Sequence, residues 1–344
     1  MKLLILTQVI DKNDPVLGFF HRWVGEFSKQ VSSISVICLK QGLYDLPANV
    51  KVYSLGKETK PSRISYVLNF YKYISSLRGD YDVVLVHMNQ EYVLLGGLLW
   101  KLWGKRVYMW RNHHAGSIWT DIAAQFCTTV FCTSKFSYTA KYEKTMLMPV
   151  GVDTNFFKRD ILVQRKHNSI LFLGRVAPVK KPHVLLEALQ VLRSKKVQFT
   201  ASFYGNALPQ DAAYLRELNK RTESWGLSDI VTFHPGIPND ATPKIYSEHE
   251  VFVNLSSSGM YDKTIFEAAA CESMILASNE NLRGLIDDAY ICRDDDPEEI
   301  AYKLQALLLK TTNEKVRVGG VLRKITEENH SLDKLSARLV ISMQ

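Results

Sequence analysis

Short apolar runs alternate with helical stretches along nearly the whole chain, and the alternation restarts near its midpoint. In the first half, Lys2 to Thr7, Ile34 to Leu39, Val50 to Ser54, Val83 to His87, Arg106 to Trp110, Val130 to Thr133 and Thr145 to Met148 read as strands. Between them, Gly18 to Gln30, the Ile64 to Ile74 segment and Glu91 to Trp103 carry apolar residues at helical spacing. In the second half, Ser169 to Leu173, Gln198 to Tyr204, Val231 to Phe233, Val251 to Val253 and Met274 to Ala277 read as strands. Pro182 to Arg193, Ala212 to Trp225, Pro243 to Ser247 and Pro297 to Leu309 read as helices. Such alternation predicts α/β architecture, with parallel sheets covered by helices on both faces. A chain of 344 residues suits two such domains. The expected division is 1–160, 161–330 and a terminal helix over 331–344 that can pack back toward the amino-terminal domain. The hinge is expected near Thr154 to His167, with two doubly wound, Rossmann-like domains facing one another across a cleft.

Charge is unevenly shared. Residues 1–160 hold 20 Lys and Arg against 12 Asp and Glu, whereas the remainder holds 23 of each. The net charge of +8 therefore belongs to the first half, which suits an anionic substrate or an anionic lipid surface. No dense basic arm or helix points to nucleic acid. Five cysteines form no C-x-x-C pair and read as reduced, mostly buried thiols. The apolar start at Met1 to Leu6 is short and is followed by Asp11 to Asp14, so it reads as a first strand rather than an export signal. The longest apolar stretch, Tyr92 to Trp103, is too short to span a bilayer. These features predict a cytoplasmic protein that can sit peripherally on the inner face of the plasma membrane.

Several segments carry chemistry. Ser256 to Cys271 sets a polar, Gly-containing loop between an apolar run and an Ala-rich helix. Free N–H groups of such a loop, and of the helix start, suit a phosphate. Glu267, about a turn into the helix, could then accept from sugar hydroxyls; an ordinary capped helix is the alternative. Gly174-Arg175, with Lys180 five residues later, follows a strand and precedes a helix. Arg as a fork and Lys as a point charge could converge on one diphosphate, and Lys181 could take the place of Lys180. No G-x-G-x-x-G follows the first strand, so a nicotinamide dehydrogenase is disfavoured. Asp294-Asp295-Asp296 before Pro297 reads as a helix cap rather than a metal site, with Glu299 closing a capping box. His113 follows the strand ending at Trp110, at a sheet rim where ligands of open α/β sheets bind. His87 also ends a strand, and Gly18 would allow close approach of a substrate to the backbone. Trp100, Trp103, Tyr108 and Trp110 with Lys101, Lys105 and Arg106 suit either a membrane interface or a buried helix face.

Together these features resemble the retaining nucleotide-sugar glycosyltransferases of the GT-B fold, specifically glycosyltransferase family 4 (glycosyl transferases group 1). Met148 to Phe157 is similar to the family's linker signature, with Val150 in place of Asn. Gly174-Arg175 with Lys180 matches its diphosphate-binding pair, and Val231 to Ile237 resembles the loop that contacts the base. Tyr81 to Val84 and Trp110 with His113 look like the family's amino-terminal strand ends. Family members often carry two glutamates seven residues apart; Glu267 fits the second, but the first position holds Gly259.

The resemblance implies a hexosyltransferase-type enzyme moving a sugar from a UDP- or GDP-sugar to a hydroxyl acceptor with retention. It implies no cofactor, no metal and no protein nucleophile, the nucleotide sugar being the co-substrate. The implied catalytic set is Arg175, Lys180, Glu267, Asp262 and His113, with Asp262 standing in at the donor sugar. Gly174, Gly236, Ile237, Ser258, Gly259, Lys263 and Thr264 are the implied donor-binding set. Gly18 and His87 are implied on the acceptor side. A lipid-linked acceptor at an anionic membrane, in cell-surface polysaccharide or glycolipid synthesis, fits the basic first half. Gly259 keeps open a nucleotide-sugar-binding scaffold subunit, and a GT-B sugar-nucleotide epimerase is a further alternative.

Overall fold

The first apolar run forms β1 (Lys2–Ile10), which pairs on one side with β2 (Ser33–Gln41) and on the other with β4 (Val83–His87). In the computed structural model, which describes residues 1–14, 16–59, 62–256 and 259–344, this strand centres a parallel sheet. With β3 (Val50–Ser54), β5 (Arg106–Trp110), β6 (Thr129–Cys132) and β7 (Thr145–Leu147), the order is β3-β2-β1-β4-β5-β6-β7. Alternate residues of β1 enter two different cores. Leu3 and Ile5 pack with Phe20, Trp23 and Phe27 of α1 (Gly18–Ser28). Leu4 and Leu6 pack with residues of α2 (Arg63–Ser76), α3 (Gln90–Leu102) and α4 (Ile118–Phe126). Burial on both faces explains why Leu3 to Leu6 of β1 and Val83 to Val86 of β4 are apolar without alternation.

The second sheet holds β8 (Ser169–Leu173), β9 (Thr200–Tyr204), β10 (Val231–His234), β11 (Val251–Asn254) and β12 (Met274–Ala277). Its order is β10-β9-β8-β11-β12, again parallel. Its helices are α5 (Pro182–Ser194), α6 (Ala212–Ser224), α7 (Thr242–Glu248), α8 (Lys263–Ala270), α9 (Pro297–Leu308) and α10 (Thr312–Asn329). The last helix, α11 (Leu332–Met343), contributes Leu335 and Leu339 to the α1 face of the first sheet. Contacts accordingly group Met1–Gly151 with Leu332–Gln344 as one unit and leave Val152–Ser331 as the other.

Two helices, α4 and α10, lie outside the helical stretches read from the sequence. α4 spans nine residues and carries apolar side chains both buried and exposed, so no single stripe marks it. α10 contains Gly319-Gly320 in its middle, which reads as a break. A Cβ on Gly319 would sit 2.4 Å from the Glu272 carbonyl oxygen, so the glycine is where α10 packs against backbone. The aromatic cluster resolves to its core alternative: Trp100, Tyr108 and Trp110 are buried, and the part-buried Trp103 lies under the Arg78 guanidinium. These rings do not form a membrane face. All five cysteines are buried and free. Among the described residues no helix is long and apolar enough to cross a membrane.

The fully buried Leu335 ties a segment distant in sequence into the first unit. Leu335→Ala is expected to destabilise that unit by about 3 kcal/mol, the usual range for an aliphatic truncation in a core. Urea unfolding followed at the first unit checks this; a change under about 0.5 kcal/mol would show that α11 is not part of its core.

Candidate donor site at the carboxyl edge of the second sheet

Sheet order locates the crevice. From β8 the chain runs outward through β9 to β10, then returns to the other side of β8 as β11. The carboxyl ends of β8 and β11 therefore flank the switch point where ligands of open α/β sheets bind. Gly174 and Arg175 follow β8; Ser256 and the loop into α8 follow β11.

Asp262 organises this edge. It is the N-cap of α8, its Oδ1 accepting from Thr264 N at 3.3 Å and from Thr264 Oγ1 at 2.9 Å. Its Oδ2 accepts from Lys180 Nζ at 2.5 Å, Asn254 Nδ2 at 3.0 Å and Ser256 Oγ at 3.2 Å. Burial pushes the Asp262 carboxyl up, but the Lys180 ammonium and the donors on Lys180, Asn254 and Thr264 outweigh it and hold the group well below the usual carboxylate range. Lys180 also donates to Ser256 Oγ at 3.0 Å. Lys181, by contrast, has a left-handed backbone (φ 51°) and pairs with Asp294 at 2.8 Å. That settles which of the two adjacent lysines joins the cluster.

Arg175 is exposed, and no hydrogen bond or ion pair from its side chain is found among the described residues. Gly174, Gly205 and Gly236 follow neighbouring strands. Gly205 N donates to the His234 carbonyl, and a Cβ on Gly205 would meet the Gly174 carbonyl oxygen at 1.9 Å. Gly236 N donates to Asn206 Oδ1 at 2.9 Å, and the part-buried Ile237 follows. A groove of about 640 Å³ beside this loop is lined by Gly205, Asn206, Arg216, Phe233, His234 and Pro235.

Glu267 lies deeper than an exposed ligand contact. It is 4% exposed, with the Tyr246 hydroxyl donating to its Oε2 at 3.5 Å. Lys263 and Thr264 open α8 and are part-buried. At the carboxyl end of the helix, Arg165 donates to the carbonyls of Cys271 and Glu272, and Arg323 donates to that of Ala270. These cations complement the negative helix end, so α8 is held at both termini. Gly259 has φ 67°, the left-handed region that disfavours side chains, and its carbonyl accepts from Asn281 Nδ2 at 2.8 Å. Met260 O accepts from Asn279 Nδ2 at 2.5 Å. Ser258 lies outside the described residues.

The remaining sequence candidates belong to the first unit. Gly18 opens α1, where a Cβ would come 2.9 Å from the Lys12 carbonyl oxygen, so internal packing already requires a glycine. His87 is 2% exposed, stacked on Phe20 at 3.8 Å, with Nδ1 3.1 Å from Thr7 Oγ1. His113 is exposed; its Nδ1 accepts from Ala115 N at 3.0 Å and its ring stacks on His114. The structure thus gathers Lys180, Asp262 and Thr264 with Asn254 and Ser256. Asn254 is not among the sequence candidates; its signal is a polar residue closing the apolar run Val251 to Val253. Asp296 caps α9 by accepting from Glu299 N, but the Glu299 carboxylate turns to Arg293 instead of closing the capping box.

His330 is buried against Phe266 at 4.0 Å, and burial lowers its pKa to about 4. Between pH 6.5 and 4 the unfolded chain binds a proton that the folded chain refuses. The stabilisation is therefore full above pH 6.5 and is lost, by about 3 kcal/mol, as the pH falls to 4. His330→Phe should reduce the acid loss of the second unit by that amount in unfolding titrations; an unchanged slope would remove His330 as its source. Separately, Gly259→Glu should cost about 1 to 2 kcal/mol through the left-handed backbone, read as a lowered Tm. An unchanged Tm would show that this loop relaxes freely.

Comparison with known proteins bears on the fold and on the second unit. Residues 167–310 match the family model described as Glycosyl transferases group 1. A D-inositol 3-phosphate glycosyltransferase from Geodermatophilus obscurus is 25% identical over 193 residues, covering 50% of this chain and 42% of the relative. Spore coat protein SA from Bacillus subtilis is 27% identical over 182 residues, covering 50% of this chain and 47% of the relative. The matched stretch thus spans less than half the length of either curated relative. Among solved structures, Anabaena Alr3699/HepE in complex with UDP aligns over 100% of this chain and 99% of its own, at TM-score 0.80 and 16% identity. A glycosyltransferase from Rickettsia africae aligns over 99% and 97%, at TM-score 0.79 and 13% identity. The chain has the GT-B fold, and its second unit matches the glycosyl transferases group 1 family.

Proposed function

We propose that this protein is a glycosyltransferase that moves a sugar from a nucleoside-diphosphate sugar to a hydroxyl acceptor, with retention at the anomeric carbon. The observation that carries the reading is the pair of cations at the switch point: Lys180 fixed by Asp262 and Ser256, and Arg175 exposed and unengaged among the described residues. A diphosphate held there would gain charge-assisted hydrogen bonds from both. As the glycosidic bond breaks, negative charge grows on the departing phosphate. Arg175, Lys180 and the amides opening α8 at Lys263 and Thr264 would stabilise that charge.

The other assignments follow the same reading. Glu267 is assigned to the ribose, which requires the ligand to reach a carboxylate now covered. Gly236 and Ile237, beside the groove, are assigned to the base, and Gly174 and Gly259 to close backbone approach. His113 is assigned to the acceptor side. The reading uses no metal, no cofactor and no protein nucleophile; the leaving phosphate helps to deprotonate the acceptor hydroxyl. Complexes of HepE with UDP and with UDP-glucose support a uridine nucleotide as the first donor to test.

The acceptor reading is a lipid-linked molecule at an anionic membrane, as in cell-surface polysaccharide or glycolipid synthesis. Its support is the basic first half together with α4, where Tyr138 and Tyr142 anchor Asp121 while Ile118, Trp119 and Ile122 stay exposed. This replaces the buried Trp100 cluster as the apolar contact.

A thermal-shift panel with UDP, GDP, CDP and dTDP tests the donor reading. One nucleotide at about 100 times its Kd should add roughly 2.7 kcal/mol, a rise of a few degrees. Arg175→Ala should leave the unliganded Tm unchanged and weaken that nucleotide about tenfold or more. No shift with any nucleotide would overturn the donor site. For the membrane, Trp119→Glu should reduce flotation with anionic vesicles at low salt; equal flotation of both proteins would exclude α4 as the contact.

A further inference from the structure

Asp262 has little left to offer a ligand. Its two oxygens already accept from Thr264 N, Thr264 Oγ1, Lys180 Nζ, Asn254 Nδ2 and Ser256 Oγ. A carboxylate presents about four lone-pair directions, so five protein donors saturate it. A sugar hydroxyl could bind Asp262 only by displacing one of them.

Lys180 is differently placed. An ammonium carries three N–H donors. One goes to Asp262 and one to Ser256 Oγ, which leaves one uncommitted among the described residues. Ser256 closes the triangle by donating its own hydroxyl to Asp262 at 3.2 Å. Asn254 braces it, its Nδ2 donating to Asp262 and its Oδ1 accepting from Ser256 N at 3.1 Å. The head of a long, flexible side chain is thereby fixed from β11 and from the α8 cap, which removes rotamer freedom before a ligand arrives.

We infer that Asp262 is a positioning residue that acts on the donor through Lys180: it orients the ammonium so that its remaining N–H faces the diphosphate, and it makes no contact with the sugar. The inference rests on the donor reading above. It places the function of the Asp262 position on the phosphate side of the donor and leaves the sugar to other groups. Two consequences distinguish it from a direct sugar contact. Removing Asp262 should affect a nucleoside diphosphate and the corresponding nucleotide sugar alike, and the effect should vanish once Lys180 is gone.

The test is a double-mutant cycle read by calorimetric Kd for both ligands. Asp262→Ser keeps an N-cap acceptor for α8 but cannot hold the ammonium; Asp262→Asn keeps the cap and the size but turns a donor toward it. Lys180→Met supplies the second edge, and unfolding midpoints identify the variants that remain folded. The expected result is that each Asp262 variant weakens both ligands about tenfold when Lys180 is present, and less than twofold in the Lys180→Met background. Equal loss in both backgrounds, loss confined to the nucleotide sugar, or tighter binding on removing Asp262 would each overturn the inference while leaving the donor reading standing. Failure of the wild-type protein to bind any nucleotide would overturn the donor reading and the inference together.

Discussion

One carboxylate joins its own helix to the strand end eight residues before it and to a cation 82 residues away. Asp262 caps α8, receives Lys180 from the segment after β8, and is braced by Asn254 at the end of β11. Without that anion the edge would present a part-buried cation and a strand-end amide with no common acceptor. An unpaired charge in such surroundings is costly, so the loop geometry and the placement of Lys180 stand or fall together. The same contact explains how a cation can be fixed at the switch point without being consumed: among the described residues, one N–H of Lys180 stays uncommitted.

The helix beneath the site is organised to match. α8 is only eight residues long and would be marginal alone. Asp262 satisfies its start, while Arg165 and Arg323 cover carbonyls at its end. Negative charge at the amino end and positive charge at the carboxyl end both suit the helix dipole. The loop that feeds it is pinned by side chains from a different segment, since Asn279 and Asn281 donate to the carbonyls of Met260 and Gly259. The left-handed backbone at Gly259 fits that turn, which gives a physical reason for a glycine at this position.

Much of this is legible in the sequence. Apolar runs such as Lys2 to Thr7 and Val83 to His87 announce buried parallel strands because both faces of each strand must be apolar. The polar loop ahead of an Ala-rich helix announced the α8 start, and Gly174-Arg175 announced a strand end carrying a cation. What could not be read are matters of tertiary direction. Lys180 and Lys181 are chemically equal neighbours, and only the left-handed turn at Lys181 sends one to Asp262 and the other to Asp294. His87 ends a strand, yet Phe19, Phe20 and Trp23 of α1 surround it. Trp100 and Tyr108 sit among cations in sequence, but their own side chains turn inward. Gly319 reads as a helix breaker until its contact with the Glu272 backbone is known.

The central claim is that the carboxyl edge of the second sheet binds a nucleoside diphosphate through Arg175 and through a Lys180 held by Asp262. A crystal structure with the tightest-binding nucleoside diphosphate tests it most directly. The account predicts phosphate oxygens within hydrogen-bond distance of both the Arg175 guanidinium and Lys180 Nζ, with the Lys180–Asp262 pair intact. A diphosphate bound elsewhere, or Lys180 released from Asp262 to reach it, would contradict the account.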